Sequence, residues 1–194
     1  MEILRTDDAR FEGLYEYPFE PHYVEVSDPD GGSVRMHYVD EGPRDGPPIL
    51  MLHGSPDWSY SFRRLVTRFA GEGFRALAPD MIGFGRSDKP RDRRDHSIER
   101  HIGWLREFVR IRDLKDVTLV CQDWGGTMGP GVVVEEEERF ARSTKARGWD
   151  SVFQQRVPGA IGQAHVTLEG AGHFLGEDRP TEFADLTLAF IRRT

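Results

Sequence analysis

The stretch VTLVCQDWGGTMG, Val117 to Gly129, carries the residues best suited to chemistry. A short run of strand-forming residues breaks into Gln122-Asp123-Trp124-Gly125-Gly126, and a helical pattern follows. A nucleophile elbow has this form, with a small residue two places before and two places after the nucleophile, because the turn brings those backbones together. Cys121 and Gly125 fill these places around Asp123. The helix that follows aims its N-terminus at the turn, which keeps a carboxylate ionised and steadies developing negative charge. Asp is also a favoured helix cap. The buried strand before it and Trp-Gly-Gly after it favour the nucleophile over the plain cap.

Two more clusters could complete such a site. HGSPDW, His53 to Trp58, follows an earlier apolar run. An oxyanion site in this architecture takes one backbone N–H from the residue after the nucleophile and one from an earlier strand-end loop. Trp124 and Ser55 are placed to give these two, against the simpler reading of a turn built on Gly54 and Pro56. EGAGHF, Glu169 to Phe174, puts His173 in a glycine loop before the last helix, 50 residues after Asp123. A general base at the rim is expected at such a position. Glu135 to Glu138 reads as a solvated helix face and Arg91 to Arg94 as a charged loop. Gly83-Phe84-Gly85 lacks the third glycine of a dinucleotide fingerprint.

The elements that must position these residues follow from periodicity. HYVEVS (His22 to Ser27) and VRMHYVD (Val34 to Asp40) alternate around DPDGG and predict an antiparallel hairpin. ILML (Ile49 to Leu52), FRALAPD (Phe74 to Asp80) and VTLVC predict buried strands, and AHVTLE (Ala164 to Glu169) a late one. Helices are predicted after Ser59, across Ile98 to Val109, from Gly125 to Phe140, and from Arg179 to Arg192 with Phe183, Leu186, Ala189 and Phe190 on one face. Strands alternating with helices after a hairpin give an α/β fold with a mostly parallel sheet covered on both faces. The three polar clusters then fall at the carboxyl ends of strands, where sites in such sheets gather.

Bulk properties narrow the class. A chain of 194 residues suits a single domain, 1–194, able to bury a core without staples. The net charge of −7 favours neither nucleic acid nor an anionic membrane. One cysteine, Cys121, excludes an internal disulfide and a cysteine-cluster metal site. No metal or cofactor is expected. The acidic opening MEILRTDDARFEGL does not read as a secretory signal, and no stretch reaches membrane-spanning length, so a cytoplasmic location is expected.

These clusters, in this order, resemble the haloalkane dehalogenases of the α/β-hydrolase fold. FEGLYEYPFEPHYVEV, MHYVDEGP, LHGSPDWSY, APDMIGFGRSDKP and VTLVCQDWGG carry the resemblance over most of residues 1 to 142. It resumes over RGWDSVFQQRVPGAIGQAHVTLEGAGHFLGEDR, Arg147 to Arg179. GFGRSDKP alone is common to many hydrolases; CQDWGG with HGSPDW and EGAGHFLGED is far more specific. The resemblance implies a small halogenated hydrophobic substrate, water as second reactant and halide as product. Asp123 would be the nucleophile and His173 the base. The Ser55 and Trp124 amides would form the oxyanion site, with the Trp124 indole on the halide.

The chain departs from the family near residues 143–146. There the resemblance implies an inserted helical cap, about two core strands, a second halide-binding side chain and the catalytic acid. No Asp or Glu occurs from Phe140 to Gly148, and Asp150 is the nearest carboxylate. The catalytic acid is therefore unassigned, and an impaired dehalogenase-type hydrolase is expected. Two alternatives stand beside it. An epoxide hydrolase shares the Asp-Trp-Gly-Gly turn and the His, but needs cap tyrosines, and no Tyr follows Tyr60. A catalytically inactive remnant or binding module would also lack the acid. The chain is expected to be a monomer or to associate weakly through exposed sheet edges.

Overall fold

A computed structural model describes residues 1–146 and 165–193. The hairpin forms as β2 (His22–Ser27) and β3 (Ser33–Glu41), and β3 lies antiparallel to β5 (Arg75–Pro79). Strands β5, β4 (Pro48–Leu52), β7 (Val117–Gln122) and β8 (Phe140–Ala146) are parallel, and the six-stranded order is β2-β3-β5-β4-β7-β8. Every residue of β7 is buried, as a central strand covered on both faces requires.

Helices cover the two faces. α1 (Arg63–Gly71) buries Leu65, Val66 and Phe69, together with Phe183, Ala184 and Leu188 of the closing helix. α2 (Ile98–Ile111) and α3 (Gly125–Glu135) lie on the opposite side, where Trp104, Leu105, Phe108, Met128 and Val132 join the second core. α2 starts where the Ser97 hydroxyl accepts the Arg100 N–H. α1 stops where Gly73 takes φ 86° and its N–H reaches the Ala70 carbonyl, a conformation that needs no side chain. One turn of helix, α4 (Leu175–Asp178), leads into the 14-residue α5 (Pro180–Arg193).

A second, two-stranded sheet pairs β1 (Ile3–Leu4) with β6 (Lys89–Pro90). Beside it the Arg5 guanidinium meets the buried Asp88 carboxylate at 2.6 Å, and Asp88 also accepts the Arg35 N–H. The chain's early residues are thereby latched to the loop that follows β5.

Four expectations need correction. AHVTLE makes no strand over its described residues: 165–169 belong to no strand, and Val166 is 58% exposed. Alternation supplies two faces for a strand, not a partner. The helix from Gly125 ends at Glu135 rather than Phe140, because Glu136 leaves helical space at φ −134°. Glu136 is buried between Arg110 at 2.6 Å and Arg139 at 3.1 Å, so the Glu135–Glu138 run is not simply a solvated face. Phe140–Ala146 then becomes β8, a strand on the residues where the family pattern breaks. In α5 the buried stripe is Phe183, Ala184, Thr187 and Leu188, while Ala189 is exposed. The stripe follows i, i+1, i+4, i+5 because α5 lies in a groove against α1.

Candidate active site

The connections fix where a cleft can open. The chain leaves β4 through α1 to reach β5 on one side, then returns through α2 to β7 on β4's other side. Adjacent strands β4 and β7 therefore send their following helices to opposite faces. The carboxyl ends of two such strands are where open α/β sheets bind ligands. Leu52 and Cys121 are register partners, so the loops after β4 and β7 begin at one level. HGSP and QDWGG are those loops.

Asp123 takes φ 52°, in the left-handed region that a non-glycine residue enters at a cost of roughly 1–2 kcal/mol. The turn is held there by close backbone approach. A Cβ on Gly125 would come within 2.2 Å of the Leu52 carbonyl oxygen. A Cβ on Gly54 would come within 2.5 Å of the Asp123 Cβ. Both glycines are thus required by space, and the result aims the Asp123 carboxylate at the HGSP loop. The Ser55 N–H donates to Asp123 Oδ1 at 3.2 Å. The Trp124 N–H has no acceptor among the described residues, and its indole is 44% exposed at the start of α3.

His173 reaches the same carboxylate from the other side, with Nε2 at 3.6 Å from Asp123 Oδ2. Its imidazole is 45% exposed, while the Asp123 side chain is 12% exposed. The loop carrying it is tied at two points. The Gly172 N–H donates to Asp178 Oδ2 at 2.6 Å, and the Gln122 side-chain amide donates to the His173 carbonyl. The structure therefore brings Ser55, Asp123, Trp124 and His173 to one end of β4 and β7. Among the described residues no carboxylate other than Asp123 lies within ion-pair distance of the His173 ring. Asp150 lies outside the described residues.

Sequence reading left three supports unassigned. Gln122 stands as a buried amide at the end of an apolar strand, and that misfit is the signal that could have found it. The Arg63 guanidinium, itself buried, makes a two-pronged ion pair with Glu177 that fixes α4 against the start of α1. Asp80 is a buried hub: it accepts the Ser59 N–H at 2.9 Å and the Arg86 N–H at 2.8 Å, and meets His37 Nδ1 at 2.8 Å. Burial pushes the Asp80 carboxyl up, but His37 and these N–H groups outweigh it and hold it below the ordinary 3.8. A Cβ on Gly85 would collide with Asp80 Oδ2 at 2.1 Å, so Gly85 of GFGRSDKP serves this packing, while Gly83 abuts the His96 ring.

His53, first residue of the HGSP loop, is fully enclosed. Its Nδ1–H donates to the Gly54 carbonyl at 2.7 Å, and its Nε2 accepts the Met81 N–H at 2.9 Å. An imidazole that must accept a backbone N–H is neutral, and burial lowers its pKa accordingly. His53 therefore spaces the loops after β4 and β5 and takes no part in proton transfer.

A family model described as the alpha/beta hydrolase fold matches residues 47–142. A haloalkane dehalogenase of Mycolicibacterium paratuberculosis is 48% identical over 161 residues, 83% of this chain and 54% of the relative. The chain has the α/β-hydrolase fold. Among solved structures of that fold, the tetrameric haloalkane dehalogenase of Paraglaciecola agarilytica NO2 aligns with a TM-score of 0.68 at 40% identity, over 72% of this chain and 47% of that one. An epoxide hydrolase of Vigna radiata aligns with a TM-score of 0.57 at 25% identity, over 69% of this chain and 46% of that one. This hydrolase-fold chain spans about half the length of the relatives it matches. No helix among its described residues is long and apolar enough to cross a membrane.

Proposed function

We propose that this chain carries out carbon–halogen cleavage of the haloalkane dehalogenase type, with impaired turnover. One observation carries the reading: a strained Asp123 whose two carboxylate oxygens face the Ser55 N–H and the His173 imidazole. An Asp123 oxygen attacks the carbon bearing the halogen. The new C–O bond forms as the carbon–halogen bond breaks, and halide leaves with the bonding electrons beside the Trp124 indole N–H. Water then gives a proton to His173 Nε2 and attacks the carboxyl carbon of the ester. The amides of Ser55 and Trp124 hold the oxyanion of that step. Collapse expels the alkoxide, which recovers the proton from His173 as the alcohol, and the regenerated Asp123 carboxyl loses the water's remaining proton to solvent.

A carboxylate is the right nucleophile because its product is an ester that water can open. A serine would leave a stable ether. The second step is the weak one. His173 must present an unprotonated Nε2, and a partner on its other nitrogen normally fixes that tautomer. No such carboxylate is found among the described residues, and the ring is open to solvent. The cytoplasmic assignment rests on the acidic, single-cysteine composition.

The test is a folded sample given 1-bromohexane, followed by bromide release and intact-protein mass spectrometry. An alkyl adduct that maps to Asp123 and decays slowly is expected. Release of bromide over many turnovers with no adduct would show that the acid has been replaced. Neither adduct nor bromide would favour the inactive remnant. Epoxide opening is disfavoured because it needs tyrosines from a cap and no Tyr follows Tyr60, whose hydroxyl, like that of Tyr17, is already hydrogen-bonded.

A further inference from the structure

We infer that Gln122 is a positioning residue for His173, locking the base to the same rigid strand end that carries the nucleophile; this rests on the proposed role of His173. Gln122 is the last residue of β7, 5% exposed, in a strand otherwise made of apolar and small side chains. A buried amide costs free energy unless it is paired. Here its Nε2–H donates to the His173 carbonyl, across 51 residues of sequence. A carbonyl can only accept, so the amide nitrogen must be the atom that faces it.

The consequence is geometric. Gln122 and Asp123 are consecutive, and their Cα atoms are fixed about 3.8 Å apart by the peptide bond. One residue grips the His173 backbone while its neighbour faces the His173 ring. The base loop has little else to hold it: residues 169–174 are mostly exposed and belong to no strand. The ties through the Gly172 N–H and the Phe174 carbonyl lead to α4, on the helix side. The Gln122 bond refers the loop directly to β7. It takes over alignment that a neighbouring strand beneath the loop would otherwise give.

Gln122→Met keeps the length and removes the donor. Gln122→Glu keeps the length and, when ionised, turns an acceptor toward the carbonyl. The two chemical steps separate the roles. Adduct formation needs Asp123 and the leaving-group site at Trp124 but not His173, whereas adduct hydrolysis needs an aligned His173. For a displacement of about 1 Å, we expect Gln122→Met to slow hydrolysis of the 1-bromohexane adduct by about 10- to 100-fold. Its formation should stay within about twofold, on the same alignment argument. The carboxyl introduced by Gln122→Glu should recover part of the loss as the pH falls and its OH can donate. His173→Ala is run beside them. Slowed hydrolysis in His173→Ala with no change in Gln122→Met would overturn the positioning role alone. Unchanged hydrolysis in His173→Ala would overturn the base and the positioning role together. A measurement free of activity accompanies these. In Gln122→Met, amide hydrogen exchange should quicken over residues 169–174 and stay the same in β4 and β7; equal exchange over that loop in both proteins would overturn the proposal.

Discussion

Asp80 meets His37 at 2.8 Å with both side chains sealed from solvent, whereas Asp123 meets His173 at 3.6 Å with the imidazole nearly half exposed. Both carboxylates stand at the carboxyl end of a strand. Asp80 is saturated by backbone N–H groups and a histidine, and its backbone is unstrained. Asp123 holds a strained φ and keeps an oxygen toward an open cleft. The better-made pair is thus the structural one. A strained φ persists only where the surroundings hold it, so Asp123 owes its placement to the close approach at Gly54 and Gly125 more than to its longer contact with His173.

The widest separation between the two should come from removing each carboxylate in turn. Asp123→Asn is expected to abolish the alkyl adduct while leaving the urea midpoint almost unmoved, since Asn has the same shape and tolerates the left-handed φ as readily as Asp. Asp80→Ala should instead cost about 3–5 kcal/mol, as breaking a buried pair leaves the partner uncompensated. Denaturant unfolding measures both, and equal stability losses would dissolve the contrast.

Acid should probe the buried side next. His101 lies beside His96 and Trp104, and burial with the neighbouring His96 pushes its pKa down to about 4. In the unfolded chain it returns to 6.5. Between those values the unfolded state binds a proton that the folded state refuses, so stability falls as pH drops from 6.5 toward 4. The loss is about 3 kcal/mol at 1.36 kcal/mol per unit, and His53 adds in the same direction. Asp80 works in a lower window, because its contribution is lost only as pH falls below 3.8 toward its depressed folded value. Thermal unfolding at pH 7, 5.5 and 4 checks this; His101→Gln should flatten the upper window.

Crowding at the turn gives a smaller effect on fold and site together. Gly54→Ala places a methyl 2.5 Å from the Asp123 Cβ and should cost roughly 1–3 kcal/mol of stability while slowing adduct formation. The smallest stability change is expected for Trp124→Phe, within about 0.5 kcal/mol for an exposed side chain. Its signature is loss of the tryptophan fluorescence response to added iodide. A response that survives the substitution would remove Trp124 from the halide site.

Periodicity made most of the scaffold legible. The hairpin, β4, β5, β7 and α2 appear where alternation or helical spacing puts them. AHVTLE failed because a strand is defined by its neighbour, and no neighbour is written in its own residues. The helix after Asp123 ended early because buried Glu136 met Arg110 and Arg139, partners 26 and 3 residues away. In the candidate site, Ser55, Asp123, Trp124 and His173 could be put forward as candidates because strand-end turns and their order are written locally in the sequence. Gln122 and the Asp80 hub could not, since their partners lie 51 and 43 residues away and no short pattern encodes them.

The latch between β1 and β6 has a consequence in time. Arg5 and Asp88 are 83 residues apart. At about 5–20 residues per second, a ribosome needs roughly 4–17 seconds to deliver one after the other. During that interval the early residues have no dock, while the β2–β3 hairpin can already close. The loop that carries Asp88 is then secured from outside by a segment made long before it. Order of synthesis and order of assembly run opposite ways at this edge of the molecule.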